Sequence, residues 1–377
     1  MITPRFIQEK LIGRQETGAL RQLSVSKGID FSSNDYLGLA RSKQIAENSE
    51  RILRQFPGLA NGSSGSRLIA GHSELADYTE NLVARFHEGE SALIYNSGYD
   101  ANVGFFPCIA GRGDTILYDY LSHASIRDGI RLSHARAFSF EHNHIADLES
   151  KLSKAEGNIF VAVESIYSMD GDAAPLQEIS RLCQKYSAYL IVDEAHSTGV
   201  FGRGKGLTVE FGLQDKVFAR LHTFGKAMGC HGAAWLINQE LKDYLINFSR
   251  SFIYTTALPP PAFATIASVY EQSSQWIENI DLLFSNIRLF TALVSQGPEL
   301  LPSLSPIQGW LLKSNQRAVQ AANHIAEKGF AVKPIRYPTV PEGTERIRIV
   351  LHAFNSEDEI RKLADAMLSF CNNQHHE

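Results

Sequence analysis

The chain has 377 residues, of which 44% are hydrophobic and 20% charged, and its formal net charge is -5. This length and composition are typical of a globular protein with about two domains. The slightly negative charge and the absence of a Lys/Arg run exclude the basic field that nucleic-acid binders need, so we expect no nucleic-acid partner.

The cysteines and the apolar residues indicate the compartment. The four cysteines are far apart in the sequence and show no CxxC spacing, which argues against a disulfide framework and against a zinc site. No run of about 18 apolar residues occurs, and charged residues such as Arg5 and Glu9 interrupt the N-terminal stretch. We therefore expect a cytoplasmic protein without a signal peptide, a membrane span or a metal.

From about residue 74, amphipathic stretches alternate with short apolar runs, a pattern typical of crossover helices and parallel strands. Helices are predicted from Ser73, a possible N-cap, to Phe86 and from Pro175 to Tyr186. Most of the predicted strands are apolar throughout, as strands covered on both faces must be. These strands are Ser91–Tyr95, Asp114–Tyr118, Asn158–Ser165, Tyr189–Glu194, Val217–Thr223 and Gly232–Ile237.

The run ALPPPA, which contains three consecutive prolines from Pro259, can continue neither a helix nor a central strand and marks a joint. We predict a large α/β domain with a mostly parallel sheet over residues 41–263 and a smaller α+β domain over residues 264–377. Residues 1–40 form an N-terminal segment that packs with the smaller domain. In that domain, FAVKPIRYP and ERIRIVLHAF are predicted strands, followed by a helix from Ser356 to Phe370.

Two motifs follow predicted strands, at the place where ligands bind in open α/β sheets. Lys226, in LHTFGKAMG, follows Thr223 and has small neighbours that leave room for a ligand. In a partly desolvated pocket such a lysine can act as an imine-forming nucleophile. In VDEAHSTG, Asp193 could keep a pyridinium nitrogen protonated and His196 could hydrogen-bond a phenolic oxygen. These features predict a pyridoxal-phosphate site with Lys226 as its Schiff-base lysine.

Two further motifs suit the same cofactor. Gly98 and Tyr99, in YNSGYDAN, lie where a helix begins, and backbone N–H groups at such a turn favour a phosphate. His123, in YLSHAS, could stack on a flat heteroaromatic ring. Each motif also has a structural alternative when it is taken alone: a solvated lysine, a capping aspartate, an ordinary loop or a partly buried histidine.

The motifs become specific when they are read in order. The series resembles the α-oxoamine synthases, fold-type I pyridoxal-phosphate enzymes that condense an amino acid with an acyl thioester and release CO2. The resemblance extends from about Arg21 to about Leu363 and implies a homodimer. Its motifs are NDYLGLA, GSSGSR, NSGYDAN, LSHAS, SMDGDAAP, VDEAHSTGVFG, TFGKAMG, YTTALPP and PTVPEGTERIRI.

Carried over position by position, the resemblance implies a set of cofactor contacts. Lys226 would form the internal aldimine and Asp193 would pair with the pyridine nitrogen. His123 would stack on one face of the ring and Ala195 on the other. The remaining implied contacts are His196 and Ser168 on the side of the ring oxygen, Gly98 and Tyr99 at the cofactor turn, Thr223 by the phosphate and, from the neighbouring subunit, Thr255 or Thr256.

The C-terminal motif PTVPEGTERIRI is most similar to the branch of the family that joins L-alanine to a pimeloyl thioester, carried on coenzyme A or acyl carrier protein, in biotin synthesis. The resemblance makes Thr339 and Arg21 substrate contacts and Arg348 the residue that holds the amino-acid carboxylate. Tyr120 and the short segment between Arg21 and Phe31 depart from the family pattern. The glycine-using and serine-using branches remain alternatives, as do an aminotransferase and a regulator that binds the cofactor without turnover.

Overall fold

Strands and helices alternate from Glu74 to Thr223 in the computed structural model, which describes residues 3–17, 20–23 and 25–373. The helices are α1 Arg5–Glu16, α2 Lys43–Leu53, α3 Glu74–Phe86, α4 Gly98–Ile109, α5 Ala124–Leu132, α6 Ile145–Leu152, α7 Leu176–Lys185, α8 Leu207–Glu210, α9 Gln239–Phe248, α10 Arg250–Ile253, α11 Pro260–Glu271, α12 Ile277–Leu293, α13 Asn315–Glu327 and α14 Glu357–Asn373. The strands are β1 Ile29–Asp30, β2 Ser91–Tyr95, β3 Thr115–Asp119, β4 Arg136–Phe140, β5 Ile159–Glu164, β6 Tyr189–Asp193, β7 Ala219–Thr223, β8 Ala233–Ile237, β9 Ile307–Leu311, β10 Phe330–Ala331, β11 Lys333–Ile335 and β12 Arg346–Val350.

The chain forms two compact units. One contains Asn34–Ser168 and Asp172–Leu283, and the other contains Met1–Ser33, Met169–Gly171 and Phe284–Glu377. The sequence places the joint after residue 263, whereas the units divide between Leu283 and Phe284, within α12. The reason is that α11, which begins at the predicted joint, packs against α2 and α3.

A seven-stranded sheet, ordered β2-β8-β7-β6-β5-β3-β4, forms the centre of the larger unit. Strand β8 alone is antiparallel to its neighbours, and the other pairs are parallel. All six predicted strands are present, with ends that differ from the prediction by at most two residues. The predicted α/β class with a mostly parallel sheet is therefore confirmed.

Burial on both faces explains why most of these strands are apolar. Every residue of β2, β7 and β8 is buried. On one face the ring of Trp235 stacks on Phe105 of α4, with centroids 4.0 Å apart, and its Nε1–H donates to the carbonyl of Ala101 at 3.1 Å. This packing places the first turn of α4 beside the ends of the central strands.

The edge strand β4 was not predicted. Its first three residues are exposed, so it lacks the continuous apolar run by which the other strands of the sheet were recognised. It pairs in parallel with β3, and the chain beyond its end leads to His142.

His142 is held between two carboxylates. Its Nδ1 donates to Asp119 at 2.9 Å and its Nε2 donates to Asp172 at 2.8 Å. Burial opposes the charged form, but the hydrogen bonds and negative charges of both aspartates raise the pKa of His142 from 6.5 to about 10. The imidazolium thus joins the loop after β4 to the end of β3 and to the loop before α7.

Replacing His142 by glutamine is expected to lower the free energy of unfolding by about 2 kcal/mol near neutral pH, after allowance for solvent screening. A raised folded-state pKa stabilises fully below the unfolded value of 6.5, and the contribution disappears as the pH rises to about 10. Urea unfolding of wild type and variant at about pH 6 and about pH 9.5 checks this window. His134→Gln, at an exposed position, is the control. A difference that stays constant across the window would contradict the prediction.

The smaller unit contains an antiparallel sheet, ordered β11-β12-β9, and a parallel pair of β1 with β10. Gly28, at φ 98°, lies so close to Gly329 that a Cβ would be 2.4 Å from its carbonyl oxygen. The predicted strands over FAVKPIRYP and ERIRIVLHAF are present but shorter, and β9 was not predicted.

Among the helices that the structure describes, none combines the length and apolar character needed to cross a lipid bilayer.

Candidate active site

A cavity of about 280 Å³ lies at the carboxyl ends of the central strands of the larger unit. Glu164 ends β5, Asp193 ends β6 and Thr223 ends β7, and all three line it. The structure brings together eight of the predicted site residues in this wall. They are Gly98, Tyr99, His123, Asp193, Ala195, His196, Thr223 and Lys226.

Asp193 is a buried carboxylate of the cavity, and its side chain is fixed by two N–H donors. Its Oδ1 accepts from the backbone N–H of Ala195 at 3.0 Å, and its Oδ2 accepts from Asn102 Nδ2 at 3.0 Å. Two donors on two oxygens suit an ionised carboxylate, which only accepts hydrogen bonds. The arrangement can therefore stabilise a cationic N–H group in the cavity.

His123 and Lys226 line the same wall and influence each other electrostatically. The protein atoms around His123 lower the pKa of its imidazole by desolvation, and the positive charge of Lys226 lowers it further, against the opposing effect of Asp193. The imidazole is consequently neutral at physiological pH and can lie against a flat ligand without placing a second cation beside the lysine.

His196 is oriented by a buried phenol. The hydroxyl of Tyr36, which is fully buried, lies 2.6 Å from His196 Nδ1. Tyr36 belongs to the NDYLGLA motif, and so does Asn34, which lines the cavity itself. This contact orients the imidazole of His196 in the wall of the cavity.

The N-terminus of α4 forms another part of the wall. Ser97 caps the helix by accepting from the backbone N–H of Asp100 at 3.1 Å, and Gly98 is the first helical residue. A Cβ on Gly98 would lie 2.7 Å from Cγ2 of Thr223. Only glycine lets the helix start this close to the end of β7, and the N–H groups of its first turn, at the cavity wall, are suited to bind an anion.

Replacing Gly98 by alanine is expected to push α4 away from Thr223, a buried β-branched side chain that has little freedom to move. The expected cost is about 1–3 kcal/mol of stability, with weaker binding of a phosphate ligand. Thermal unfolding and titration with pyridoxal phosphate measure the two effects. Gly13→Ala is the matched control because a Cβ there meets nothing within 4 Å. Equal behaviour of the two variants would refute the packing argument.

Sequence reasoning missed several residues of the cavity, of which Glu164 is the most distinctive. Burial, followed by the negative charge of Asp193, raises the pKa of Glu164 well above its usual range, and its Oε1 accepts from the backbone N–H of His123 at 2.6 Å. The signal was present, because Glu164 ends an apolar strand just as Asp193 does. The other missed residues are Asn34, Asn102, Ser125, His231 and Gly232.

Other predicted residues do not line the cavity. Ser168 lies outside its wall, as do Thr255 and Thr256, to both of which the side chain of Asn96 donates. In the smaller unit, the three predicted substrate residues occupy two places. Arg21 Nη2 donates to Thr339 Oγ1 at 3.0 Å, and Arg348 lies within β12.

The donor set fits pyridoxal phosphate. An amine, an ionised carboxylate, a neutral imidazole and a helix N-terminus meet around one cavity, at Lys226, Asp193, His123 and Gly98. These groups match, respectively, the aldehyde, the pyridine nitrogen, the ring face and the phosphate of that cofactor. The arrangement can hold a ring cation and a phosphate at the same time.

Comparisons with known proteins agree with this geometry. The model of the aminotransferase class I and II family matches residues 26–367 of the chain. The 8-amino-7-oxononanoate synthase of Emericella nidulans is 39% identical over 393 residues, which covers 97% of this chain and 95% of that protein.

Solved structures give the same picture. Serine palmitoyltransferase from S. paucimobilis, with bound PLP–myriocin aldimine, matches with a TM-score of 0.89 at 25% identity, covering 99% of this chain and 98% of that one. The 8-amino-7-oxononanoate synthase from Francisella tularensis matches with a TM-score of 0.80 at 28% identity, covering 92% of this chain and 99% of that one.

Proposed function

We propose a function on the premise that this chain belongs to the aminotransferase class I and II family and, within it, to the α-oxoamine synthases. The chain condenses L-alanine with a pimeloyl thioester to 8-amino-7-oxononanoate, CO2 and a free thiol, a step of biotin synthesis. The observation that carries the proposal is the cavity lined by Lys226, Asp193 and His123. It occurs in a chain that is 39% identical to the 8-amino-7-oxononanoate synthase of Emericella nidulans.

The cofactor is pyridoxal phosphate, which supplies an electrophilic carbonyl and a ring that stores an electron pair. Lys226 would hold it covalently through Nζ, and the N–H groups at the start of α4 would bind its phosphate. Asp193 would keep a proton on the ring nitrogen, and its two N–H partners hold the carboxylate in place for this role. The pocket residues His196, Tyr99, Thr223 and Ala195 complete the binding site.

The chain's own groups then act on the amino acid. The amine of Lys226, when it is free, would be the base within the cavity that takes the Cα proton of L-alanine. His123 holds the plane of the reacting group so that the breaking bond aligns with the π-system. The deprotonated Cα of L-alanine would then attack the thioester carbonyl, so that a C–C bond forms and the C–S bond breaks with release of the thiol. The resulting β-keto acid would lose the former carboxylate of L-alanine as CO2, and a proton would return to Cα.

The remaining assignments are part of the proposal. Arg348 holds the carboxylate of L-alanine, and the joined pair Arg21 and Thr339 contacts the acyl chain. The protein acts as a cytoplasmic homodimer, in which Thr255 or Thr256 reaches the neighbouring subunit's phosphate. Ser168 lies on the side of the ring oxygen. The family resemblance supports each of these roles.

The test follows absorbance, product and gas release in the purified protein loaded with pyridoxal phosphate. L-alanine, glycine and L-serine are added separately, each followed by pimeloyl-CoA or pimeloyl-acyl carrier protein. We expect an absorbance change with L-alanine and, after the thioester, CO2 together with 8-amino-7-oxononanoate identified by mass spectrometry.

The other outcomes separate the alternatives. A response confined to glycine with a shorter acyl-CoA, or to L-serine with palmitoyl-CoA, would assign the chain to another branch of the α-oxoamine synthases. Transfer of the amino group to a keto acid without CO2 would identify an aminotransferase. Bound cofactor without any response to amino acids would identify a regulator.

A further inference from the structure

Two buried polar residues, Asn102 and Ser125, connect Asp193 to His123. Asn102 Nδ2 lies 3.0 Å from Asp193 Oδ2 and 3.0 Å from Ser125 Oγ. Ser125 Oγ in turn lies 2.7 Å from His123 Nδ1. Asn102 and Ser125 are each 1% exposed, so these hydrogen bonds are shielded from bulk solvent.

The geometry determines which group donates and which accepts in each hydrogen bond between Asp193 and His123. The backbone N–H of Ser125 points at His123 Nδ1 over 3.2 Å and can only donate, so Nδ1 must bear a lone pair. The Ser125 hydroxyl therefore also donates to Nδ1, and its oxygen accepts from Asn102. The second amide proton of Asn102 goes to the carboxylate of Asp193.

The consequence is a single tautomer of the neutral imidazole. With a lone pair on Nδ1, the ring proton of His123 is on Nε2. Among the residues that the structure describes, none hydrogen-bonds to His123 Nε2, and the side chain lines the cavity. The proton is thus available to a ligand.

The amide oxygen of Asn102 is in an unfavourable environment, which supports a specific role for this side chain. Its amide oxygen, Oδ1, is buried and has no hydrogen-bond partner among the described residues. A buried acceptor without a partner is unfavourable, and native proteins contain few of them. Asn102 satisfies both amide protons on Asp193 and Ser125 and leaves its own oxygen without a partner.

We propose that Asn102 and Ser125 are positioning residues that hold His123 as the neutral Nε2–H tautomer and tie its orientation to the carboxylate of Asp193. The inference rests on the proposed function for its catalytic meaning. A ring fixed in this way presents its face and its single proton to the substrate side of the cavity in one orientation.

The experiment compares Ser125→Ala, Ser125→Thr and wild type, all loaded with pyridoxal phosphate. The ¹⁵N spectrum of histidine-labelled protein reports the tautomer of His123, which is assigned by the signal that disappears in His123→Gln. We expect the wild type and Ser125→Thr to show a proton on Nε2 alone. Ser125→Ala loses the 2.7 Å hydroxyl contact and keeps only the longer backbone N–H contact of 3.2 Å to Nδ1, so we expect it to show a mixture of both tautomers. Exchange of the Cα proton of L-alanine in D2O should fall in kcat by about 10- to 100-fold in Ser125→Ala, with KM nearly unchanged.

Ser122→Ala is the matched control, because Ser122 is buried in the turn before His123 and its hydroxyl has no hydrogen-bond partner among the described residues. It should leave the His123 spectrum and kcat at the wild-type values. A single Nε2–H tautomer in Ser125→Ala, or the same change in Ser122→Ala, would overturn the inference. The tautomer readout requires no thioester, so a failure to form 8-amino-7-oxononanoate would reject the proposed function without affecting this result.

Discussion

Replacing Lys226 by alanine is expected to lower turnover of L-alanine and the thioester by roughly 10⁴-fold or more, because the variant lacks the nucleophilic amine that the proposed mechanism uses twice. Lys226→Arg should be equally inactive, since a guanidinium keeps the charge but is neither a nucleophile nor a base at neutral pH. Product formation measured by mass spectrometry gives the rate.

The control for this prediction is Lys216→Ala, a change at an exposed lysine outside the cavity. In addition, borohydride reduction of the loaded wild-type protein should attach the cofactor to Lys226 irreversibly, and peptide mass spectrometry locates the modified residue. Attachment at a different lysine, or substantial turnover by Lys226→Ala, would refute the assignment.

Replacing Glu80 by alanine is expected to cause the largest loss of stability, about 3–5 kcal/mol. Glu80 is 2% exposed and accepts from Arg67 at 2.5 Å, Lys242 at 2.9 Å and the backbone N–H of Ile94 at 2.9 Å. Burial alone would raise the pKa of Glu80, but the charges of Arg67 and Lys242 lower it overall. Without this carboxylate, the buried guanidinium of Arg67 loses its main counter-charge.

Urea unfolding at neutral pH measures the effect. Glu50→Ala is the matched control, since its ion pair with Arg54 is exposed on both sides and is expected to contribute less than about 1 kcal/mol. A similar small loss in both variants would show that the buried cluster around Glu80 does not depend on its charge.

In the larger unit, the features that could be predicted are those that depend on a local sequence pattern. The central strands are recognisable because both faces are buried, and Asp193, Thr223 and Lys226 are recognisable because each lies at or just beyond a strand end. The same argument applied to Glu164 would have found it. Glu164 was assigned to an apolar strand, but the prediction did not include the consequence that a polar residue at the end of such a strand would line the ligand site.

Other parts depend on contacts between distant segments, which no local pattern records. Asn102 and Ser125 are single polar residues in helices, and their importance follows only from the approach of α4, α5 and β6 to one another. The division of the chain inside α12 is of the same kind, because it is determined by the packing of α11 on α2 and α3. The assignments of Arg21, Thr339 and Arg348 stay predictions from the resemblance.

The reversed direction of β8 has a consequence for the lysine. Because β7 and β8 are antiparallel neighbours, β8 begins next to the carboxyl end of β7. Residues 224–232 therefore form a short hairpin connection, which contains Lys226. Hydrogen bonds inside it, from Phe224 N to Gly232 O at 2.9 Å and from Gly229 N to Lys226 O at 2.8 Å, restrict it further. A backbone tethered at both ends loses its freedom during folding, so the reactive amine meets its substrate with little conformational entropy left to lose.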